Sequence, residues 1–158
     1  MALSDNEIIR AIKTQELRIV PGPRKINPAG IDLRTDRRII MDAKHHDLVA
    51  TKERVELSHG LLGLLHIRSS FAREGIIASL ALVDPGFRGQ LTVNLYNAGD
   101  RRVILKAGER FIQLSLVRLG NPANYSYNGK YQDSTGVVKS RRGNFHGVIS
   151  RKPVRGLE

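Results

Sequence analysis

One segment of the sequence combines hydroxyl and guanidinium groups at a spacing that could bind phosphate. Arg68-Ser69-Ser70-Phe71-Ala72-Arg73 follows an apolar run and holds two serines and two arginines within six positions. Hydroxyl groups, arginines and the free N–H groups of a helix start all bind phosphate oxygens, so this segment suits a phosphate chain. The alternative is a serine-capped helix whose arginines are only exposed to solvent.

A second segment places a carboxylate at a turn, in Val83-Asp84-Pro85-Gly86-Phe87-Arg88-Gly89. Pro85 and Gly86 favour turn conformations, so we expect Asp84 at a strand end, where catalytic acids and bases are often held. Aspartate also opens turns that have no chemical role, and that alternative stays open.

Two further polar residues interrupt apolar runs. Asp32 lies between Ile31 and Leu33 and is expected to point away from the face that those two share. Its simplest role is that of an edge carboxylate paired with Arg34 or another nearby base. Gln113 is the single amide of a run that follows a turn, and taken alone it indicates little.

The elements that must position these residues are one helix and a series of strands. Ser4 and Glu7 fit a capping box, and Ile8, Ile9 and Ile12 form an apolar stripe. Farther on, short apolar runs separated by turn residues predict strands at 60–67, 75–83, 90–96, 102–105 and 110–119. The fold class is therefore mainly β, an antiparallel sandwich or jelly roll with a short N-terminal helix.

Composition limits the function classes. The 158 residues suit one domain, and no apolar run approaches the roughly 20 residues of a membrane span, so we expect a cytoplasmic protein and no membrane partner. The chain has no cysteine, which excludes a zinc-dependent nucleobase deaminase, and its five histidines lack metal-binding spacing. A net charge of +11 favours a polyanionic partner, but charge alone does not separate a nucleic acid from a triphosphate.

Taken in order, five segments resemble the motifs of the trimeric dUTPase and dCTP deaminase superfamily. They are 29–33, 68–73, 83–89, 108–114 and, from the deaminase branch, 127–132 with Gly136 and Ser140-Arg141. The resemblance implies a homotrimer of jelly-roll subunits with sites at subunit interfaces, and Mg²⁺ carried by the substrate triphosphate. It also implies a β domain over 1–120 and a basic tail over 121–158 that closes over the nucleotide.

The resemblance implies a role for each matching residue. Phosphates would be held by Arg68, Ser69, Ser70 and Arg73, with Gln113 at the α-phosphate and Asp32 in support. The Asp84–Phe87 hairpin would receive sugar and base, with Phe87 packed where a 2′-hydroxyl would clash and Asn94 beside the substrate. Tyr125 or Tyr127, with Lys130 and Gln132, would close from the tail.

The residue five positions after Gly89 distinguishes the two branches of the superfamily. Members of the deaminase branch have a glutamate there, which activates water at cytosine, whereas this sequence has Asn94. The deaminase branch has polar His and Arg residues just before the hairpin, whereas this sequence has Ala81 and Leu82 at those positions. Asp84, the acid that orients water toward phosphorus in dUTPases, is present. The sequence therefore predicts a dUTPase that converts dUTP to dUMP and pyrophosphate.

Two other functions stay open. One is a dCTP deaminase, mono- or bifunctional, that uses an acid not identified here. The other is a catalytically inert relative that binds nucleotide or nucleic acid, although nucleic acid is not the expected partner. The segment 141–147 loosely resembles the fifth dUTPase motif, an arm whose Phe stacks over uracil, but its glycines are sparse.

Overall fold

The computed structural model describes residues 1–142. Strands dominate, which confirms the mainly β prediction. The helices are α1 (Asp5–Lys13) and α2 (Ser69–Arg73). The strands are β1 (Leu17–Val20), β2 (Ile26–Asn27), β3 (Gly30–Arg34), β4 (Ile39–Met41), β5 (His46–Leu57), β6 (Leu61–Ile67), β7 (Ile76–Ser79), β8 (Arg88–Asn97), β9 (Val103–Leu105) and β10 (Arg110–Arg118).

Two four-stranded sheets enclose one core. The first has the strand order β1-β5-β8-β7 and the second β2-β3-β10-β6, while β4 and β9 form a separate pair. All of these pairings are antiparallel. Buried apolar side chains from both large sheets belong to a single cluster, which places the core between them.

Strand β8 shows how the alternating sequence produces a two-faced element. Leu91, Val93 and Leu95 are buried in the core, as their spacing predicts. The opposite face carries Thr92 and Asn94, which stay partly accessible because they lie outside the sandwich. A cavity lies against this outer face of β8.

Helix α1 has the predicted capping box, because the Ser4 side chain accepts from the Glu7 N–H and the Glu7 carboxylate accepts from the Ser4 N–H. The predicted apolar stripe is only partly correct. Ile8 and Ala11 are buried, whereas Ile9 is exposed because it is rotated about 100° from Ile8 around the helix axis.

Two predicted elements differ in the structure. The strand expected over 75–83 ends at Ser79, and only Val83 pairs again, through an isolated bridge to Gly63. The segment 69–73 forms a second helix, preceded by Arg68 as its N-cap with no side-chain cap, so the expectation of a serine cap is wrong. Within residues 1–142, no helix is long and apolar enough to cross a membrane.

Candidate functional site

A cavity of about 500 Å³ lies against the outer face of β8, between the Asp84–Phe87 hairpin and the C-terminal tail. Four of the predicted site residues line it: Asp84, Phe87, Asn94 and Tyr127. The other lining residues are Leu48, Ser79, Ala81, Leu82, Val83, Gln90, Leu91, Thr92, Tyr131, Ser134, Val138 and Ser140. Asp84 is therefore the single carboxylate among the described residues that form its wall.

The hairpin that carries Asp84 is fixed by backbone hydrogen bonds. The Phe87 N–H donates to the Asp84 carbonyl at 3.1 Å, and the Gly86 N–H donates to the Leu57 carbonyl at 3.1 Å. Gly86 has a φ of +80°, which favours glycine at this turn. From the other side, the Tyr127 N–H donates to the Pro85 carbonyl at 2.8 Å. The backbone of the hairpin is thus held rigidly from two directions.

Asp84 itself is half-buried, and its carboxylate makes no hydrogen bond or ion pair with other residues in 1–142. Beside it, the rings of Phe87 and Tyr127 meet edge to face, with centroids 5.7 Å apart and planes at 61°. A carboxylate without an internal partner, next to an aromatic wall, is available to bind a water molecule or a substrate.

Asn94 lies on the outer face of β8 between Leu48 of β5 and Ser79 of β7. Its Oδ1 atom is buried and has no hydrogen-bond partner among the described residues. Buried amide oxygens are usually paired, so this atom lacks an expected donor. The cavity thus has a neutral amide in the place that the deaminase pattern gives to an acid.

The tail packs along β8 through polar contacts. Ser134 forms a parallel bridge with Gly89, the Gly136 N–H donates to the Gln90 side chain at 2.7 Å, and the Val138 N–H donates to the Thr92 hydroxyl at 3.1 Å. The described part of the tail thus forms one wall of the cavity.

An acid of the tail fastens it to two arginines of the β domain. Asp133 pairs with Arg54 at 2.5 Å and with Arg88 at 2.9 Å. The Arg88 and Arg54 hydrogen bonds lower the pKa of Asp133, and the Asp133 carboxylate raises the pKa of both arginines. Within residues 121–142, the tail is thus held to the β domain by a carboxylate that lies between two arginines.

Two other predicted tail residues make internal contacts. The Gln132 side chain accepts from the Arg88 N–H at 2.9 Å and donates to the Gly86 and Tyr127 carbonyls at 3.0 Å each. Lys130 Nζ donates to the Arg141 carbonyl at 2.8 Å. Gln132 therefore joins the tail to the hairpin, and neither residue lines the cavity. Tyr125 is 89% exposed and also lies outside the lining.

A second group of predicted residues surrounds Asp32, whose side chain is 4% exposed. Its Oδ2 lies 3.1 Å from Arg110 Nη1 and 3.5 Å from Arg68 Nε, while Oδ1 accepts from the Asn27 amide at 2.7 Å. The Arg68 guanidinium also donates to the Arg110 carbonyl at 3.0 Å. We call Asp32, Arg68 and Arg110 the arginine shelf, because one buried acid holds two partly exposed guanidinium groups.

The sequence predicts that Asp32 pairs with Arg34 or another nearby base. Arg34 is not its partner, because Arg34 is buried and pairs with Glu53 of β5 at 2.5 Å. The bases that pair with Asp32 in the structure are Arg68 and Arg110.

The remaining predicted phosphate residues lie close to the arginine shelf in the chain. Gln113 is opposite Asp32 in the register, and its side chain lies over Gly30, where a Cβ would be only 2.7 Å from the Gln113 amide nitrogen. Ser69, Ser70 and Arg73 are exposed on α2, directly after Arg68.

The structure thus divides the predicted site residues of one chain into a cavity group and a shelf group, because no shelf residue lines the cavity. Sequence reasoning missed Arg110, Thr92 and Tyr131. The sequence feature that could have identified Arg110 is its position in the fourth motif segment, as a cation three residues before Gln113. Arm residues from 143 onward lie outside the described residues.

Comparisons with known proteins show the family to which the chain belongs. The family model of dCTP deaminase-like proteins matches residues 35–119. A dCTP deaminase of Pyrococcus abyssi is 45% identical over 112 residues, covering 71% of this chain and 73% of the relative. A dCTP deaminase of Thermococcus gammatolerans is 40% identical over 144 residues, covering 81% and 92%. A probable deoxyuridine 5′-triphosphate nucleotidohydrolase of Sulfolobus islandicus rod-shaped virus 1 is 35% identical over 157 residues, covering 89% and 99%.

Solved structures support the fold. The dUTPase of Staphylococcus bacteriophage 80alpha superposes with a TM-score of 0.60 at 18% identity, over 73% of this chain and 97% of its own. The dUTPase of phage phi11 of S. aureus, described with a structural Mg(II) ion, gives a TM-score of 0.58 at 16% identity, over 72% and 97%. The predicted superfamily is confirmed: the chain belongs to the dCTP deaminase-like family, whose members named above are dCTP deaminases and a probable dUTPase.

Proposed function

We propose that this protein hydrolyses dUTP to dUMP and pyrophosphate. The observation that supports the proposal best is the chemistry of the cavity wall, which has Asp84 as its single carboxylate among the described residues and the Asn94 amide on β8. Hydrolysis at phosphorus needs one acid beside the substrate, whereas deamination needs an acid at the base. Asp84 in the cavity wall supplies the acid that hydrolysis at phosphorus needs.

The Asn94 side chain is poorly suited to deamination. Replacing the 4-amino group of cytosine requires a group that takes a proton from water and passes it to the ring. A carboxamide does not accept that proton near neutral pH, and general acid–base catalysis is worth about 10²–10⁴-fold in rate. Ala81 and Leu82, which also line the cavity, have no titratable group. The cavity thus lacks an obvious replacement for the acid.

Asp84 is suited to orient a water molecule. Its carboxylate has no internal partner within 1–142, and its hairpin is held on two sides. In the proposed reaction, the water oxygen bonds to the α-phosphorus as the bond from that phosphorus to the bridging oxygen breaks. The carboxylate accepts a proton from the water, and pyrophosphate leaves with the bond's electron pair.

The arginine shelf is the proposed site of the triphosphate. Arg68, Ser69, Ser70 and Arg73 would contact phosphate oxygens, with Gln113 at the α-phosphate and Asp32 holding the guanidinium of Arg68 in place. Since the shelf group and the cavity group are separate within one chain, a complete site requires residues from two chains. This separation supports the proposed homotrimer of jelly-roll subunits.

The cavity is the proposed site of the deoxyuridine. Phe87 would pack against the sugar where a 2′-hydroxyl would clash, and the hairpin backbone would read uracil beside Asn94. Tyr127 supports Phe87 through the ring contact at 5.7 Å, and Gln132 fastens the hairpin to the tail. In this proposal, Lys130 approaches the triphosphate only when the tail closes.

The described residues of the cavity and the shelf are compatible with a metal ion that arrives bound to the substrate triphosphate. Within 1–142 no three histidine, cysteine or acidic side chains are close enough to hold an ion by themselves. Mg²⁺ keeps several water ligands and commonly uses substrate phosphates, so Asp84 is the cavity residue able to contact its hydration shell. When bound, Mg²⁺ would neutralise charge on the leaving pyrophosphate.

Deamination of dCTP is the second candidate, because the relatives of highest identity cited above are named dCTP deaminases. The test is to incubate the full chain with Mg²⁺ and either dUTP or dCTP, and to assay pyrophosphate and ammonia in both. We expect pyrophosphate from dUTP and no ammonia from dCTP. Ammonia from dCTP would overturn the proposal. A chain that turns over neither nucleotide but shifts DNA or RNA in a salt-dependent manner would indicate the inert relative.

A further inference from the structure

We propose that His66 is a further contact for the phosphate chain, at the β6 side of the arginine shelf. The inference rests on the proposed function only in that it requires a bound triphosphate. His66 is one of the five histidines without metal-binding spacing, and none of the family motifs quoted above includes it.

The register of three strands places His66 in line with two site residues. Asp32 of β3 is opposite Gln113 of β10, and Gln113 is opposite His66 of β6. Directly opposed residues of antiparallel strands share a face, with Cβ atoms about 4.5–5.5 Å apart. His66 therefore extends the row formed by Asp32 and Gln113 to a third strand. Unlike Asp32, His66 is exposed, so a ligand can reach its ring.

The neighbours of His66 do not compete for its ring. Across the strand pair lies Gln113, which is neutral, and the next strand offers Asp32, whose carboxylate is already held by Arg68 and Arg110. Two residues farther along the chain lies Arg68, the N-cap of α2, whose guanidinium is held by Asp32 and the Arg110 carbonyl. Within residues 1–142 the imidazole has no hydrogen bond or ion pair. Its nitrogens are free to bind an anion.

The charge of the shelf explains why another cation would help. Two guanidinium groups and one carboxylate leave a net charge of only +1 on Arg68, Arg110 and Asp32. A nucleoside triphosphate carries several negative charges on its phosphate chain. Exposed Arg73 adds one cation from α2, and a protonated His66 would add another from β6. Together they would surround a polyanion from two sides.

The test is calorimetric titration of the full chain with inorganic tripolyphosphate in mildly acidic buffer. The variants are His66→Ala and His66→Lys. The matched control is His59→Ala, which removes an exposed histidine just before the opposite end of β6. We expect His66→Ala to weaken binding about three- to tenfold, as the loss of one partly exposed charged contact does. His66→Lys should stay within about twofold of the wild type, and His59→Ala should match it.

Equal binding by His66→Ala and the wild type would overturn the inference, as would a wild type that does not bind tripolyphosphate. The readout is independent of which reaction the chain catalyses. A wild type that releases ammonia from dCTP, yet loses tripolyphosphate affinity in His66→Ala, would refute the proposed function and retain the role of His66. Normal dUTP hydrolysis by the wild type, together with unchanged tripolyphosphate affinity in His66→Ala, would retain the proposed function and refute the role of His66.

Discussion

The cavity and the arginine shelf solve different physical problems within one chain. Among residues 1–142, the cavity contains one carboxylate, Asp84, which has no internal partner and lies beside an aromatic wall and an amide. The shelf contains two guanidinium groups held by a buried carboxylate, Asp32. Within residues 1–142 the Asp84 carboxylate has no hydrogen-bond or ion-pair partner, whereas the Asp32 carboxylate pairs with two arginines.

This difference separates binding from the choice of reaction. A positively charged shelf suits the phosphates of dUTP and of dCTP equally, because both carry the same triphosphate. Only the cavity would contact the base and place a carboxylate beside the attacked phosphorus in this account. The replacement of an acid by Asn94 therefore changes the proposed chemistry and leaves the proposed phosphate binding intact.

The largest expected effect is that of Asp84→Asn in the cavity. The amide keeps the shape of the side chain but does not accept a proton, so kcat for dUTP should fall about 10²–10⁴-fold. Binding of a non-hydrolysable dUTP analogue should stay within a few fold. Steady-state pyrophosphate release and calorimetry measure the two quantities. The control Asp100→Asn, at an exposed surface ion pair with Lys44, should leave both unchanged. Near-normal turnover by Asp84→Asn would mean that another group positions the water.

The next effect is that of Asp32→Asn in the shelf. This change leaves Arg68 and Arg110 without their charged partner, so KM for dUTP should rise about tenfold while kcat changes less. The free energy of unfolding should fall by about 1–3 kcal/mol, because both guanidinium groups are partly solvated. Kinetics and urea unfolding measure these changes. A fall in kcat with unchanged KM would place Asp32 in the chemistry instead.

A smaller effect is expected for Arg73→Ala on α2. Arg73 is exposed and makes no ion pair with the described residues, so its loss should leave the fold intact. KM should rise about three- to tenfold through the loss of a phosphate contact. Arg102→Ala, an exposed arginine paired with Asp42, is the control. Identical kinetics for Arg73→Ala and the wild type would remove Arg73 from the site.

The smallest effect concerns the wall that the tail contributes. Asp133→Asn should increase hydrogen exchange of the backbone at Ser134–Val138, because the ion pairs with Arg54 and Arg88 are lost. The folded pKa of Asp133 is lowered, so its contribution is present above the ordinary carboxyl pKa of about 4 and is lost as pH falls through the folded value. Wild-type protection should therefore fall in strong acid, and the variant should lack that step. Equal protection in both proteins would show that the backbone bonds alone hold the tail.

Local patterns in the sequence predicted much of the fold. The alternation in β8, the capping box of α1 and the turn at Gly86 each depend on neighbouring residues, and each is present. The early end of β7 was not predictable in this way. Residues 80–82 are apolar enough for a strand, but the strand ends at Ser79, and Ala81 and Leu82 border the cavity instead.

The site was less predictable where partners are distant in the chain. Arg110 is 78 residues from Asp32, and Arg34 pairs with Glu53, which lies in the other sheet. Neither pairing has a local signature. The order of the tail likewise depends on Asp133 meeting two arginines from different strands. By contrast, the interpretation of Asn94 came from the resemblance to the deaminase branch and a count of five residues from Gly89, and strand β8 has no insertion in that interval.

The most direct test of the central claim is to follow oxygen from solvent into product. The full chain is incubated with Mg²⁺ and an equimolar mixture of dUTP and dCTP in H₂¹⁸O, and the nucleotides are analysed by fragment mass spectrometry. Attack on the α-phosphorus, assisted by Asp84, predicts ¹⁸O in the phosphate of dUMP and none in the pyrophosphate or the base. Label at C4 of uracil, which only deamination introduces, would contradict the account.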